Sequence, residues 1–131
     1  MHMPPGFSTV TPYFFVADAE AFVAFLCAAF GGAEVLRSLR PGGRIANAQV
    51  RIGGSTVMVG EASPAYPPMP ASYYLYVADA DATMACALAA GGALEMAVQD
   101  MPYGDRQGGI RDPHGNLWWV SQRLVEGPYT L

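Results

Sequence analysis

Lysine is absent from this 131-residue chain, and charged residues of every kind are scarce. A Schiff-base mechanism and a phosphate-loop NTPase both need a lysine amine, so these two classes are excluded. Charged residues make up 14% of the chain, against a usual value of about 25%, while apolar residues make up 52%. Because so little polar material remains to cover the surface of a monomer, we expect a homodimer.

Positive charge is also in short supply. The net charge is -4 and the pI is near 4.9, which argues against a nucleic-acid partner, since phosphate binding needs clustered cations. A secretion signal consists of a cationic start followed by an apolar run, and this pattern is not seen. No stretch approaches the ~20 apolar residues that a membrane helix needs. We therefore expect a cytoplasmic protein without a membrane partner.

Histidine and cysteine occur twice each. His2 lies beside the first methionine and His114 lies in a Pro-His-Gly turn, so sites built on several imidazoles and Ser-His-acid catalysis are both unsupported. Cys27 and Cys86 are widely spaced in alanine-rich stretches, without the spacing of metal ligands. This pattern predicts two small, buried core residues.

Prolines interrupt the chain at one place, residues 61–70, where four prolines in seven residues disfavour helix and strand alike. The flanking segments repeat each other: VADAEAFVAFLCAA, from Val16, matches VADADATMACALAA, from Val77, at eight of fourteen positions. We interpret this as an internal duplication. The predicted organisation is an N-terminal extension (1–10), a first module (11–60), a proline-rich linker (61–70), a second module (71–125) and a C-terminal tail (126–131).

Each module has the pattern strand, helix, strand, strand, strand. Asp18 and Asp79 stand where a side-chain oxygen would accept the first free amides of a helix. Glycine pairs follow both helices and allow a left-handed residue past the last turn. The predicted strands are 12–16, 33–39, 44–52 and 55–59 in the first module, and 72–77, 94–99, 105–111 and 117–123 in the second.

The duplicated unit resembles the vicinal oxygen chelate superfamily, the group of glyoxalases, bleomycin resistance proteins and extradiol dioxygenases. The segments that carry the resemblance are TPYFFVADAEAFVAFLCAAFGGAEV, GRIANAQVRIGGSTVMV, YLYVADADA and YGDRQGGIRDPHGNLWWVSQ. They span Thr11 to Arg123, and the last is similar to the PhnB-like branch. The resemblance implies an α+β fold in which two βαβββ modules form a curved, partly closed mixed sheet around a cleft, commonly completed in a dimer.

Enzymes of this superfamily hold a divalent metal with His, Gln or Glu side chains from the first and last strands of both modules. The resemblance places these residues at the corresponding positions: Thr11 or Tyr13, Met58, Ser72 or Tyr74, and Trp119. None of them is an imidazole or a carboxylate, which such an ion prefers. Glu61 lies three positions after Met58, so it is expected to point away from that face. We predict no metal and no cofactor.

Strand alternation predicts which side chains line the cleft instead. The candidate ligand-binding residues are Tyr13, Phe15, Asn47, Gln49, Met58, Tyr74, Tyr76, Tyr103, Arg106 and Trp119. Aromatic walls with a few polar groups suit a flat or amphipathic organic ligand, although the same residues could pack a closed core. Arg106 could pair with an anionic ligand group or with an acid of the chain. No carboxylate is predicted on this face.

Three functions remain open. The first is a metal-free binding protein that, like bleomycin resistance proteins, sequesters an aromatic or amphipathic compound in a dimer cleft. Its acidic charge suits a cationic planar compound. The second is a lyase, isomerase or dioxygenase with a displaced metal site. The third is a structural or regulatory domain without a ligand. We favour the first, so the predicted partner is a small molecule.

Overall fold

A computed structural model describes residues 1–130 and divides the chain into two compact units, Met1–Pro70 and a second that begins at Ala71. Each unit folds as a strand, a helix and three further strands. The predicted α+β fold built from two βαβββ modules is confirmed. The elements are β1 (Tyr13–Val16), α1 (Ala19–Phe30), β2 (Ala33–Leu39), β3 (Ile45–Ile52), β4 (Ser55–Glu61), β5 (Ser72–Tyr76), α2 (Ala80–Ala89), β6 (Ala93–Asp100), β7 (Asp105–Arg111) and β8 (Leu117–Arg123).

Each unit contains one mixed four-stranded sheet. Sheet 1 has the order β1-β4-β3-β2, with β1 parallel to β4 and the other pairs antiparallel. Sheet 2 repeats this arrangement as β5-β8-β7-β6. The register repeats too, since Tyr13 lies opposite Met58 as Tyr74 lies opposite Trp119. Over the described residues, neither sheet closes on itself.

One face of each sheet is covered by the helix of its own unit. In sheet 1, Phe14 and Val16 of β1 are buried while Tyr13 is exposed, as strand alternation requires. Phe14 packs against Phe22 of α1 with ring centroids 4.9 Å apart. We call the opposite, helix-free faces of sheets 1 and 2 face 1 and face 2.

Both helices begin as predicted. Asp18 Oδ1 accepts a hydrogen bond from the Ala21 N–H at 3.2 Å, and Asp79 Oδ1 accepts one from the Ala82 N–H at 3.0 Å. Gly31, which is left-handed with a φ of 67°, caps the C-terminal end of α1. These caps satisfy amides and carbonyls that a helix terminus leaves unpaired.

The prediction of two buried cysteines is wrong for Cys86, which is exposed, while Cys27 is partly exposed. In α2 the buried residues are Ala80, Met84 and Ala87. Position 86 falls outside this narrow stripe, so its side chain is left on the outer side of the helix. No helix within residues 1–130 combines the length and the apolar character needed to span a membrane.

Candidate functional site

Face 1 brings together five of the predicted site residues: Tyr13, Phe15, Asn47, Gln49 and Met58. The Tyr13 and Phe15 rings stack with centroids 4.7 Å apart. Asn47 Nδ2 donates to the Tyr13 hydroxyl at 3.3 Å, and Gln49 Nε2 donates to Asn47 Oδ1 at 3.1 Å. The aromatic rings are thus bordered by a short chain of amides.

Two neighbours of these rings lie in the sequence where no site was predicted. Gly60 leaves room for Tyr13, because a Cβ at this position would lie 3.3 Å from Tyr13 Cε1. Tyr66, assigned to the linker, stacks on Phe15 with a centroid distance of 5.5 Å. Its position follows from pairing of the linker with β1, where the Met69 N–H donates to the Phe15 carbonyl at 3.1 Å.

The N-terminal extension is anchored to the hairpin of β3 and β4 in the same unit. The Gly6 carbonyl accepts hydrogen bonds from Arg51 and, at 2.8 Å, from the Thr56 hydroxyl. A cavity of about 280 Å³ lies between this segment and Met58. Its lining is mainly apolar and includes Phe7 and Thr11. The extension therefore adds walls to face 1 that the strand pattern does not reveal.

Face 2 holds four further predicted residues, Tyr74, Tyr76, Tyr103 and Trp119. Tyr74 and Tyr76 have ring centroids 5.1 Å apart, and Trp119 donates from Nε1 to the Ser72 hydroxyl at 3.1 Å. A cavity of about 340 Å³ lies on this face. It is lined by Tyr74, Met96, Met101, Tyr103, Gln107 and Trp119. Its volume falls at the lower end of the ~300–1,000 Å³ that is typical of ligand pockets.

The glycines of β7 explain how the large indole fits. A Cβ at Gly109 would lie only 2.8 Å from Trp119 Cζ3, so the ring rests directly on the backbone of β7. Beside it, Gln107 is buried and donates to the Ser121 hydroxyl at 2.8 Å, while its carbonyl accepts from the Tyr103 hydroxyl. The cavity thus combines aromatic and thioether walls with one buried amide.

Face 2 also carries a carboxylate, which corrects the prediction that none faces the site. Asp105 is completely buried and lies on the same side of β7 as Gln107. Its carboxylate accepts hydrogen bonds from the Tyr74 hydroxyl, from the Tyr129 hydroxyl at 2.6 Å, and from Arg123 Nη1 at 3.0 Å. Burial alone would raise the pKa of Asp105, but these three donors outweigh it and hold the pKa below its ordinary value.

Arg106 is the one candidate that the structure does not bring to either face. It follows Asp105 and therefore points to the helix side of sheet 2. Its guanidinium donates to Asp81 at 2.8 Å and to Asp100 at 2.9 Å, and these hydrogen bonds, chiefly the one to Asp81, raise the pKa of Arg106. The structure thus shows the pairing with acids of the chain.

The metal implied by the resemblance does not fit these residues. The family positions are occupied by phenol, thioether, hydroxyl and indole groups. Within residues 1–130, no three His, Cys, Asp or Glu side chains come together as a metal site requires. Glu61 is turned to the helix side of sheet 1, where it binds backbone amides of α1. The carboxylate of Asp105 is already shared by two phenols and a guanidinium.

Comparison with known proteins decides the family. The model of the Glyoxalase/Bleomycin resistance protein/Dioxygenase superfamily matches residues 7–120. The chain belongs to this superfamily. The predicted resemblance is therefore confirmed. An uncharacterized protein of Mycobacterium bovis, Mb0911c, is 32% identical over 128 residues, a match that covers 89% of this chain and 84% of the relative.

Two solved structures share the fold. TioX from a Micromonospora species is 27% identical and superposes with a TM-score of 0.73, covering 92% of this chain and all of TioX. TnmS3, an antibiotic binding protein from a Streptomyces species, is 25% identical with a TM-score of 0.68, covering 93% of this chain and 99% of TnmS3. Both are similar to this chain over nearly their whole length.

Proposed function

We propose that this superfamily member is a metal-free binding protein for a flat aromatic compound. The observation that carries the proposal is the pair of helix-free faces. Face 1 clusters aromatic rings beside a cavity and two amides, and face 2 clusters them beside a cavity and one amide. Aromatic walls supply buried area and stacking, and the amides of Asn47, Gln49 and Gln107 orient a ligand. The structural neighbour TnmS3 is an antibiotic binding protein, which supports a small-molecule ligand for this chain as well.

The charge of the chain favours a cationic ligand over an anionic one. The net charge is -4, and each of the seven arginines forms an ion pair or donates to a backbone carbonyl within the described residues. An anion would therefore meet repulsion from the acidic surface and few available cations. A cationic planar ring gains stacking and cation-π contact with tyrosine and tryptophan.

We also infer that the chain works as a homodimer in the cytoplasm. The edge strands β2 and β6 carry exposed apolar side chains, among them Val35, Leu39 and Leu94 at 56–60% exposure, and a second copy would cover such residues. The thiols of Cys27 and Cys86 are free, which suits a reducing compartment. Sedimentation at micromolar concentration tests the dimer, and a monomer there would contradict it.

Tryptophan fluorescence offers a direct test of the binding function. Titration with proflavine, a planar cation, should quench the partly exposed Trp119 and raise the unfolding temperature. The matched probe is 9-anthracenecarboxylate, which has three fused rings but an anionic group. At one hundred times its dissociation constant, a ligand stabilises the fold by about 2.7 kcal/mol. Failure of both probes to quench fluorescence or to shift unfolding would contradict the proposal.

A further inference from the structure

The C-terminal tail places one tyrosine, Tyr129, on face 2. The Tyr129 hydroxyl is 2.6 Å from Asp105 Oδ2 and 2.7 Å from the Tyr76 hydroxyl. The Arg123 guanidinium carbon lies 4.3 Å from the centre of the Tyr129 ring, and the Tyr103 ring meets it edge to face at 6.4 Å. The phenol is thus held by a carboxylate, a cation and a second ring.

The tail is otherwise lightly attached. Residues 124–130 are all exposed and form neither helix nor strand. Besides Tyr129, the described anchors are Arg123 Nη2, which lies 3.3 Å from the carbonyls of Gly127 and Pro128, and the Leu124 N–H, which donates to the Gly104 carbonyl at 2.9 Å. Exposed segments with few hydrogen bonds open at low free-energy cost. Release of the tail past Leu124 is therefore far easier than unfolding of sheet 2.

Three residues that contact Tyr129, namely Asp105, Tyr76 and Arg123, belong to strands of sheet 2 and not to the tail. Asp105 Oδ1 keeps Arg123 and Oδ2 keeps the Tyr74 hydroxyl, but Oδ2 loses its second donor, the Tyr129 hydroxyl. A carboxylate oxygen accepts more than one hydrogen bond, so Oδ2 is then open to a new donor. Tyr103, which contacts the Tyr129 ring, also lines the 340 Å³ cavity. The vacated place therefore adjoins that cavity.

We propose that Tyr129 is an internal, displaceable ligand that occupies the recognition point of face 2. The group that replaces it is an aromatic ring bearing a hydroxyl or amino donor, which hydrogen-bonds Asp105 and packs against Arg123. The inference rests on the proposed binding function and names the chemistry of its ligand. The Asp105 carboxylate and the Arg123 guanidinium neutralise each other. The ring of the replacing ligand therefore carries no more than a delocalised charge.

The first experiment uses the phenol alone. In Tyr129→Ala, thermal unfolding is followed with millimolar p-cresol, which reproduces the tyrosine side chain, or with toluene, which lacks the hydroxyl. We expect p-cresol to raise the Tm of Tyr129→Ala more than that of the wild type, and more than toluene does. The matched control is Tyr66→Ala, which removes a ring from face 1 at a place without a carboxylate. There, p-cresol and toluene should change the Tm equally.

The result that overturns the inference is an equal response of the wild type and Tyr129→Ala to p-cresol, or an equal response of Tyr129→Ala to p-cresol and toluene. Tyr129→Phe guards against a folding defect, because it keeps the ring and loses only the hydroxyl. Its response to p-cresol should fall between those of the wild type and Tyr129→Ala.

The second experiment measures competition. If the Tyr129 ring occupies its place on face 2 nine-tenths of the time, removing the ring tightens the binding of an added ligand about tenfold. Proflavine carries the required ring amines, and we expect it to bind Tyr129→Ala about tenfold more tightly than the wild type. Equal or weaker binding to Tyr129→Ala would overturn the inference and leave the proposed function intact. Rescue by p-cresol without any binding of proflavine would support the inference and count against the proposed function.

Discussion

The carboxylate of Glu61, the last residue of β4, binds the start of α1 by accepting a hydrogen bond from the backbone N–H of Ala19 at 2.9 Å. Its second oxygen accepts the N–H of Asp18 at 2.8 Å. Gln122 has the equivalent position in the second unit, where its carbonyl accepts the Ala80 N–H at 3.0 Å. The same position of the repeat therefore ties the last strand to the helix in both units.

This equivalence predicts the stability of Glu61 variants. Glu61→Ala leaves the N–H of the buried Ala19 without its acceptor, which should lower the free energy of unfolding by about 1–3 kcal/mol. Glu61→Gln keeps one acceptor oxygen, like the natural Gln122. Its free energy of unfolding should therefore fall clearly less than that of Glu61→Ala. Urea unfolding of the three proteins measures the difference. Equal stability of the two variants would show that the hydrogen bonds contribute little.

Aromatic residues of face 2 are expected to carry ligand affinity. Trp119→Ala and Tyr74→Ala should each weaken proflavine binding by roughly 1–3 kcal/mol, as removal of an aromatic anchor does. Tyr74→Phe separates the ring from its hydrogen bond to Asp105, because it keeps the stacking surface. Fluorescence titration of Tyr74 variants and calorimetry of Trp119→Ala provide the measurements. Unchanged affinity in both alanine variants would exclude face 2 as the binding surface.

Arg106→Ala should leave proflavine affinity unchanged. The guanidinium lies on the helix side of sheet 2, about one-third exposed, and is held by Asp81 and Asp100. Exposed pairs of this kind contribute little to stability, so the variant also remains folded. A loss of affinity as large as that of Trp119→Ala would mean that Arg106 reaches the ligand after all.

Hydrophobic alternation and the repeat were sufficient to predict the secondary structure and most of the residues on faces 1 and 2. Strands β2, β7 and β8 have the predicted bounds, and both aspartate caps were recognised. Asp105 was not predicted on face 2, because its charged neighbour Arg106 was assigned to the site instead. The pairing of Asp105 with Arg123, and hence its face, follows from the register of β7 on β8.

Residues outside the strands could not be placed by periodicity. Tyr129 lies in a stretch without any repeating pattern, and its position depends on a long-range hydrogen bond to Asp105. Tyr66 likewise depends on the pairing of the linker with β1. Such contacts are decided by tertiary packing, for which local sequence carries no signal.

The Asp105 network predicts how stability varies with alkaline pH. The hydrogen bond to Asp105 raises the pKa of Tyr129. The pKa of Tyr74 is raised mainly by burial and secondly by its hydrogen bond to the same carboxylate. An unfolded tyrosine ionises near pH 10. The stabilisation that the two protonated tyrosines contribute is therefore fully present below about pH 10. It is lost as the pH rises toward their higher pKa values in the folded protein. Unfolding free energies between pH 8 and pH 11 should fall more steeply for the wild type than for Tyr129→Phe. Parallel slopes would exclude Tyr129 from the network.

At acid pH the change of stability with pH has the opposite sign. Because the folded pKa of Asp105 lies below its ordinary value of about 3.9, its contribution is present above about pH 4 and is lost as the pH falls through the folded value. Asp105→Asn, which cannot ionise, should therefore show a shallower loss of stability between pH 5 and pH 2. The same slope in both proteins would show that Asp105 does not gain its hydrogen bonds as an anion.

Divalent metals should not stabilise the fold. The resemblance assigns the metal-ligand positions to Thr11 or Tyr13, Met58, Ser72 or Tyr74, and Trp119. Their side chains are poor ligands for such ions at neutral pH. Metal-stripped protein should therefore unfold at the same temperature with and without Ni, Co, Mn, Zn or Fe(II), the last under anaerobic conditions. Stoichiometric metal that raises the Tm of the wild type would contradict the metal-free function and direct assays toward lyase or dioxygenase chemistry.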